Sequence, residues 1–264
     1  NFVSTLITVG TVDLVITSGP PTVTPSSIEP GGVVQLSGWT VKNQGTASSG
    51  AFQNRAYLST DATITSSDTH LINYASINNL EAGASVSYAA LSGTIPAGAA
   101  PGNYYIGVLV DRLNSVTESN EENNFKSTPI TVLTPLPDLV ITSGPQTVTP
   151  SSVEPGKTVQ LSAWTVKNQG TVASEYFLNG YYLSTDEIIT SSDTILYSNS
   201  LNDPGLAVDA SFNWGAPTMT IPATTVPGGY YIGILVDRAD NVVESNEGNN
   251  YVSTPITVFS CSAS

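Results

Sequence analysis

Apolar positions along this chain come in short runs that alternate with polar ones, and the alternation keeps a period of two. In Tyr104-Tyr-Ile-Gly-Val-Leu-Val, Tyr104, Ile106, Val108 and Val110 share one face while Tyr105, Gly107 and Leu109 share the other, the pattern of a half-buried strand whose first face looks into the core. The same reading predicts strands over 13–18, 33–42, 52–59, 70–77, 85–91, 103–110 and 125–133, each short and rich in Val, Ile, Thr and Tyr. Clusters such as Glu29-Pro-Gly-Gly and Asn43-Gln-Gly separate them, at spacings typical of an all-β sandwich. No stretch sustains a period of 3.6, so helix is expected to be minimal. One segment resists a simple phase: Val34 and Leu36 fall opposite Trp39 and Val41, and a bulge would bring both sets inward. The tyrosine pair at 104 has two readings. A phenol can close a turn by bonding to backbone, as in the tyrosine corner of Greek-key sandwiches, or it can simply pack in the core.

The pattern then repeats. Asp13-Leu-Val-Ile-Thr-Ser-Gly-Pro returns at Asp138, Trp39-Thr-Val-Lys-Asn-Gln-Gly-Thr at Trp164 and Tyr57-Leu-Ser-Thr-Asp at Tyr182, all displaced by 125 residues; beyond a one-residue insertion Tyr104 maps onto Tyr230. Two units of about ordinary domain size are therefore expected, each able to bury its own core. They run over 13–133 and 138–259, joined by Thr134-Pro-Leu-Pro137 and followed by a tail at 260–264. Two prolines in four residues predict a short, stiff connector.

The closing segment occurs a third time. Asn124-Phe-Lys-Ser-Thr-Pro-Ile-Thr-Val and Asn250-Tyr-Val-Ser-Thr-Pro-Ile-Thr-Val finish the two units, and Asn1-Phe-Val-Ser-Thr-Leu-Ile-Thr-Val opens the chain. Residues 1–12 are thus read as an extra N-terminal strand and linker. It has three possible addresses: the edge of a longer array, a neighbouring subunit reached by strand addition or exchange, or its own chain. Leu6 stands where both other copies carry proline. Proline lacks an N–H and is confined to edges and bulges, so Leu6 restores a ladder donor. The expectation is a strand built on Asn1, Phe2, Val3, Leu6, Ile7 and Val9 that pairs with another copy of the chain, head to tail.

Composition narrows the partners. Seven basic residues stand against 21 acidic ones, for a formal charge of −14 and a pI near 4.1. That sign disfavours nucleic acid and anionic membrane surfaces, which are bound through clustered Lys and Arg. No apolar run approaches the roughly 20 residues that span a bilayer, so no direct membrane insertion is expected. There is no basic segment followed by an apolar stretch at the N-terminus, so any secretion signal is expected to have been removed. The single cysteine, Cys261, allows no internal disulfide and no cysteine zinc site; it is read as an incidental thiol or an intermolecular bridge.

Catalytic equipment is sparse. His70 is the only histidine and its counterpart in the second unit is Ile195, which argues against nucleophilic triads and histidine metal sites. Paired carboxylates could still act on glycosides, but no acid pair sits with an aromatic-rich stretch. The acids that recur are Asp61 and Asp68, bracketing Ala-Thr-Ile-Thr-Ser-Ser, and Asp186 and Asp193, bracketing Glu-Ile-Ile-Thr-Ser-Ser. Oxygen-rich loops of this kind suit Ca²⁺, and a structural Ca²⁺ in each unit is one reading. The other is that these aspartates accept backbone N–H bonds to shape turns. A second acidic stretch carries Asp111, Glu118 and Glu121, matched by Asp237, Glu244 and Glu247; structural pinning of the last loop is expected there. Arg112 and Arg238 offer local charge partners.

Taken together, Pro-Asp-Leu-Val-Ile, Val-Glu-Pro-Gly, Thr-Val-Lys-Asn-Gln-Gly-Thr, Tyr-Leu-Ser-Thr-Asp and the close Val-Glu-Ser-Asn-Glu…Asn-Asn resemble CARDB, the cell-adhesion-related domain of bacteria and archaea. The resemblance covers both units end to end. It implies two tandem immunoglobulin-like or fibronectin III-like seven-stranded β-sandwiches, of the kind repeated in large secreted or surface proteins and sometimes attached to a hydrolase. It implies no activity, since a sandwich scaffold hosts many functions. The leading expectation is a non-catalytic extracellular structural or adhesion protein, part of a surface fibre, sheath or adhesin. The alternative is an accessory module of a secreted hydrolase, a spacer or a binder of cell-surface or matrix polysaccharide. Trp214, which the first unit lacks, would be its stacking residue, with core packing as the plainer use.

Overall fold

The computed structural model describes residues 9–18, 21–143, 146–201 and 205–260. Contacts divide the chain into two units between Thr134 and Pro135.

The first unit contains β1 (Leu14–Ile16), β2 (Val23–Thr24), β3 (Ser27–Ile28), β4 (Val33–Leu36), β5 (Trp39–Asn43), β6 (Arg55–Ser59), β7 (Thr69–Asn73), β8 (Ser85–Tyr88), β9 (Leu91–Thr94), β10 (Gly102–Leu109) and β11 (Phe125–Val132). One layer is the five-stranded sheet β3-β11-β10-β6-β7, and the other is formed by β1-β5-β8 and β2-β4-β9. The ladders are antiparallel except for β3, which runs parallel to β11. This is an all-β sandwich. Its facing layers bury Leu14, Val34, Leu36, Trp39, Val41, Ile106, Val108 and Ile130 in one cluster.

The segment expected as one strand over 33–42 is two, broken at Ser37-Gly38. That break resolves its phase: Val34 and Leu36 point inward before it, Trp39 and Val41 after it, and all four are buried. Gly38 is required at the break, because a Cβ there would come within 2.7 Å of the Tyr88 carbonyl oxygen. The expected inward face of β10 is observed, with Ile106, Val108 and Val110 fully buried and Tyr104 packed against the same cluster.

The second unit repeats the order with β12 (Leu139–Ile141), β13 (Val148–Thr149), β14 (Ser152–Val153), β15 (Thr158–Leu161), β16 (Trp164–Asn168), β17 (Phe177–Ser184), β18 (Thr194–Leu201), β19 (Ser211–Trp214), β20 (Thr218–Thr220), β21 (Gly228–Leu235) and β22 (Tyr251–Val258). Its sheets are β14-β22-β21-β17-β18, β12-β16-β19 and β13-β15-β20. A 3-10 turn at Glu247–Asn249 is the only helix among the described residues, and no helix there is long and apolar enough to cross a membrane. Tyr230 makes the turn-closing bond, its phenol donating to the Val226 carbonyl at 2.9 Å.

The cores differ at their aromatic centres. Trp39 stacks on Tyr88, ring centroids 4.5 Å apart, and meets Tyr74 edge-on. Trp164 stacks instead on Trp214 at 5.9 Å and donates its indole N–H to the Tyr181 hydroxyl at 3.0 Å.

Candidate functional site

Both repeated acidic clusters lie in loops of the five-stranded sheets. In the hairpin between β6 and β7, Asp61 accepts the Thr63 N–H at 2.8 Å, while Asp68 accepts the Thr65 N–H at 2.7 Å and its hydroxyl at 3.2 Å. Asp186 and Asp193 do the same for Ile188 and Thr190, at 2.9, 2.7 and 3.1 Å. These turns drive Ile64 and Ile189 inward to 2% exposure. Each isoleucine lies over a glycine of the neighbouring strand, Gly107 or Gly233. The four aspartates thus accept the N–H bonds that shape these turns. Among the described residues, no group of three or more His, Cys, Asp and Glu side chains converges to hold a metal.

The loop joining the last two strands is pinned more deeply. Asp111 and Asp237 sit at φ 43° and 45°, a left-handed backbone that Asp tolerates better than most residues. Their Oδ2 atoms accept the N–H groups of Val116 and Val242 at 2.7 and 2.8 Å. Glu118 then turns back to the opening strand, accepting from the Leu14 N–H with one oxygen and from the Asn124 amide with the other, the latter at 2.7 Å. Glu244 repeats this with the Leu139 N–H and the Asn250 amide. Glu121 and Glu247 accept the N–H of Glu118 and Glu244 at 2.9 and 2.8 Å.

Burial pushes the Glu118 and Glu244 carboxyls up to about 7, against the opposing pull of the donated hydrogen bonds. Burial also raises Asp237. Arg112 does not pair with these acids: its guanidinium donates to the Gln53 side chain at 2.7 Å. Lys167 with Asp209, at 2.8 Å, is the ion pair among the described residues.

Sequence reading missed the asparagines that complete this frame. Asn43 and Asn168 are fully buried. Each donates to two carbonyls, those of Ala47 and Leu80 or of Val172 and Leu206, and accepts from the N–H of Asp13 and Gly45 or of Asp138 and Gly170. Their identity in both copies of Trp-Thr-Val-Lys-Asn-Gln-Gly was the available signal.

The remaining candidates separate plainly. His70 is exposed on the edge strand β7 and meets Tyr57 edge-on; Ile195, its counterpart, is exposed on β18. Trp214 is half-buried and stacked on the core Trp164. Cys261 and the strand residues Asn1, Phe2, Val3, Leu6 and Ile7 lie outside the described residues. Val9 is described and is 81% exposed, whereas its counterparts Val132 and Val258 are each 1% exposed.

The CARDB family model matches residues 11–128 and 136–254. No curated protein matches the chain. Among solved structures, a CARDB domain from Pyrococcus furiosus, described in complex with di-metal ions, is 24% identical; the alignment covers 48% of this chain and 97% of that one, with a TM-score of 0.31. A domain of a candidate cell surface protein from Methanosarcina acetivorans is 21% identical over 49% of this chain and 97% of its own, also with a TM-score of 0.31. The two stretches matched by the family model take in both acidic loops of each unit and all of each sandwich but the end of its last strand, and the chain belongs to the CARDB family as a tandem pair.

Proposed function

We propose that this chain is a non-catalytic extracellular structural or adhesion protein, its tandem modules forming part of a surface fibre, sheath or adhesin joined head to tail through residues 1–9. Membership of an adhesion-related family supports the general class. Val9 carries the finer reading.

The two other copies of its segment occupy one kind of slot: β11 lies between β10 and β3, and β22 between β21 and β14. There Ile130, Val132, Ile256 and Val258 enter the cores at 1–3% exposure. Residues 1–9 repeat that pattern with Ile7 and Val9. Both such slots in the chain are filled, so a third copy is suited to completing a sheet on another molecule. Negative-stain electron microscopy of the full chain tests this. Linear assemblies that disappear when residues 1–9 are deleted are expected; assemblies of unchanged length after the deletion contradict it.

A further inference from the structure

We infer that the acceptor for residues 1–9 of one copy is the edge strand β18 of the next, so that the five-stranded sheet of the second unit gains a further strand. The inference rests on the strand-addition reading above and names the surface that reading leaves open. The slot between β21 and β14 is occupied by the chain's own β22, so an incoming copy needs a free sheet edge. A strand that spans residues 1–9 also needs an edge of similar length to pair its N–H and C=O groups.

β18 is that edge. It is outermost in its sheet, hydrogen-bonded to β17 alone among the described strands, and runs for 8 residues. Among the described residues no other edge strand is longer than β7, which has 5. Both carry a bulge, at Leu196 and at Leu71. In β18 it leaves Tyr197–Leu201 in unbroken register with the neighbouring strand, whereas in β7 it leaves only Ile72 and Asn73.

The chemistry of this edge suits an uncharged partner. Native sheets guard exposed edges with Lys, Pro or inward-pointing charge, and Thr194-Ile-Leu-Tyr-Ser-Asn-Ser-Leu201 has none of these. The side chains of residues 1–9 are uncharged too, with Val3 where the closing strand of the first unit carries Lys126. The core-facing side of β18 is also incompletely covered. Tyr197 and Leu201 lie opposite Tyr181 and Phe177, both fully buried. Leu201 is 9% exposed, but Tyr197 is 45% exposed even though its ring lies 5.4 Å from that of Tyr181. Its counterpart in β7, Ile72, is 6% exposed. Alternation puts Val3, Ile7 and Val9 on one face, and a strand laid beside β18 with that face inward would cover Tyr197. Donor and acceptor are then different surfaces of the chain, a heterologous contact that propagates into rings or filaments instead of stopping at a two-fold dimer.

Hydrogen exchange read by mass spectrometry, comparing the assembled full chain with the chain lacking residues 1–9, tests this address. Peptides covering 194–201 are expected to exchange about tenfold or more slowly in the full chain, while those covering β7 exchange alike in both. Ile195→Lys with Ser198→Lys, both at exposed positions, guards the edge and should abolish assembly in sedimentation velocity as fully as the deletion does. His70→Lys on β7 should leave assembly unchanged. Should the lysine pair fail to fold, the exchange comparison alone decides. Assemblies that need residues 1–9 yet survive the lysine pair, with 194–201 unprotected, overturn the inference and leave the strand-addition reading standing. Assemblies that persist without residues 1–9 overturn both, and if the lysine pair then dissolves them, β18 pairs edge to edge with its own copy. A full chain that stays monomeric also overturns both.

Discussion

Glu244 shows how a single side chain holds each sandwich shut. Its two oxygens tie the last loop to the opening strand through the Leu139 N–H and the Asn250 amide, in a buried setting. Glu244→Ala strands both donors, and a loss of about 2 kcal/mol from the second unit is expected, measured by urea unfolding in chelator. Tyr181 supplies the pH dependence. Its hydroxyl takes the Trp164 and Asn199 N–H groups, and burial raises it from its ordinary value of 10.0. The folded state therefore favours the neutral phenol; that stability is fully present below pH 10 and is lost as pH rises through the higher folded value. Alkaline spectrophotometric titration should show Tyr181, with Tyr74 and Tyr88, which are raised for the same reason, ionising above the ordinary value of 10.0. Ionisation of all tyrosines together near 10 would contradict this. The recurrence of Glu118 and Glu244 was legible in the repeat. Their burial was not, because no local pattern shows that Leu14 and Leu139, more than a hundred residues earlier, provide the donors.

At the scale of the element, the period-two alternation located the strands because one face of each is buried and the other is not. It could not locate the break at Ser37-Gly38, since that kink arises where strand Trp39–Asn43 passes close to the backbone of Tyr88. The short strands Val23–Thr24 and Ser27–Ile28 were equally hidden: two residues carry no period, and they exist through pairing with Leu36 and Val132. The glycine of the penultimate strand has a cause from outside its own strand. A Cβ on Gly233 would lie 2.3 Å from Ile189 and 2.6 Å from the Val252 carbonyl oxygen, whereas one on Gly229 would meet nothing within 4 Å. Gly233→Ala should cost about 1–3 kcal/mol by overpacking, and Gly229→Ala should be close to neutral or slightly stabilising. Thermal melts of the two variants check this, and equal melting temperatures would refute the packing of Ile189 over the strand.

For the whole molecule, two CARDB sandwiches in tandem account for the strand-rich repeat. The function proposed for the chain turns on what covers Val9 and the residues before it. The repeat supplied the clue, since it shows that Val132 and Val258, the equivalents of Val9, are core residues. It could not supply the address, because a strand's partner is fixed by tertiary pairing rather than by its own sequence. Sedimentation velocity over a concentration series, comparing the full chain with Ile7→Asp, tests the assembly claim most directly. The account predicts that the full chain forms larger species as concentration rises and that Ile7→Asp, which puts a charge at the position equivalent to the buried Ile130 and Ile256, stays monomeric. A full chain that remains monomeric throughout, or an Ile7→Asp variant that assembles equally well, would contradict it.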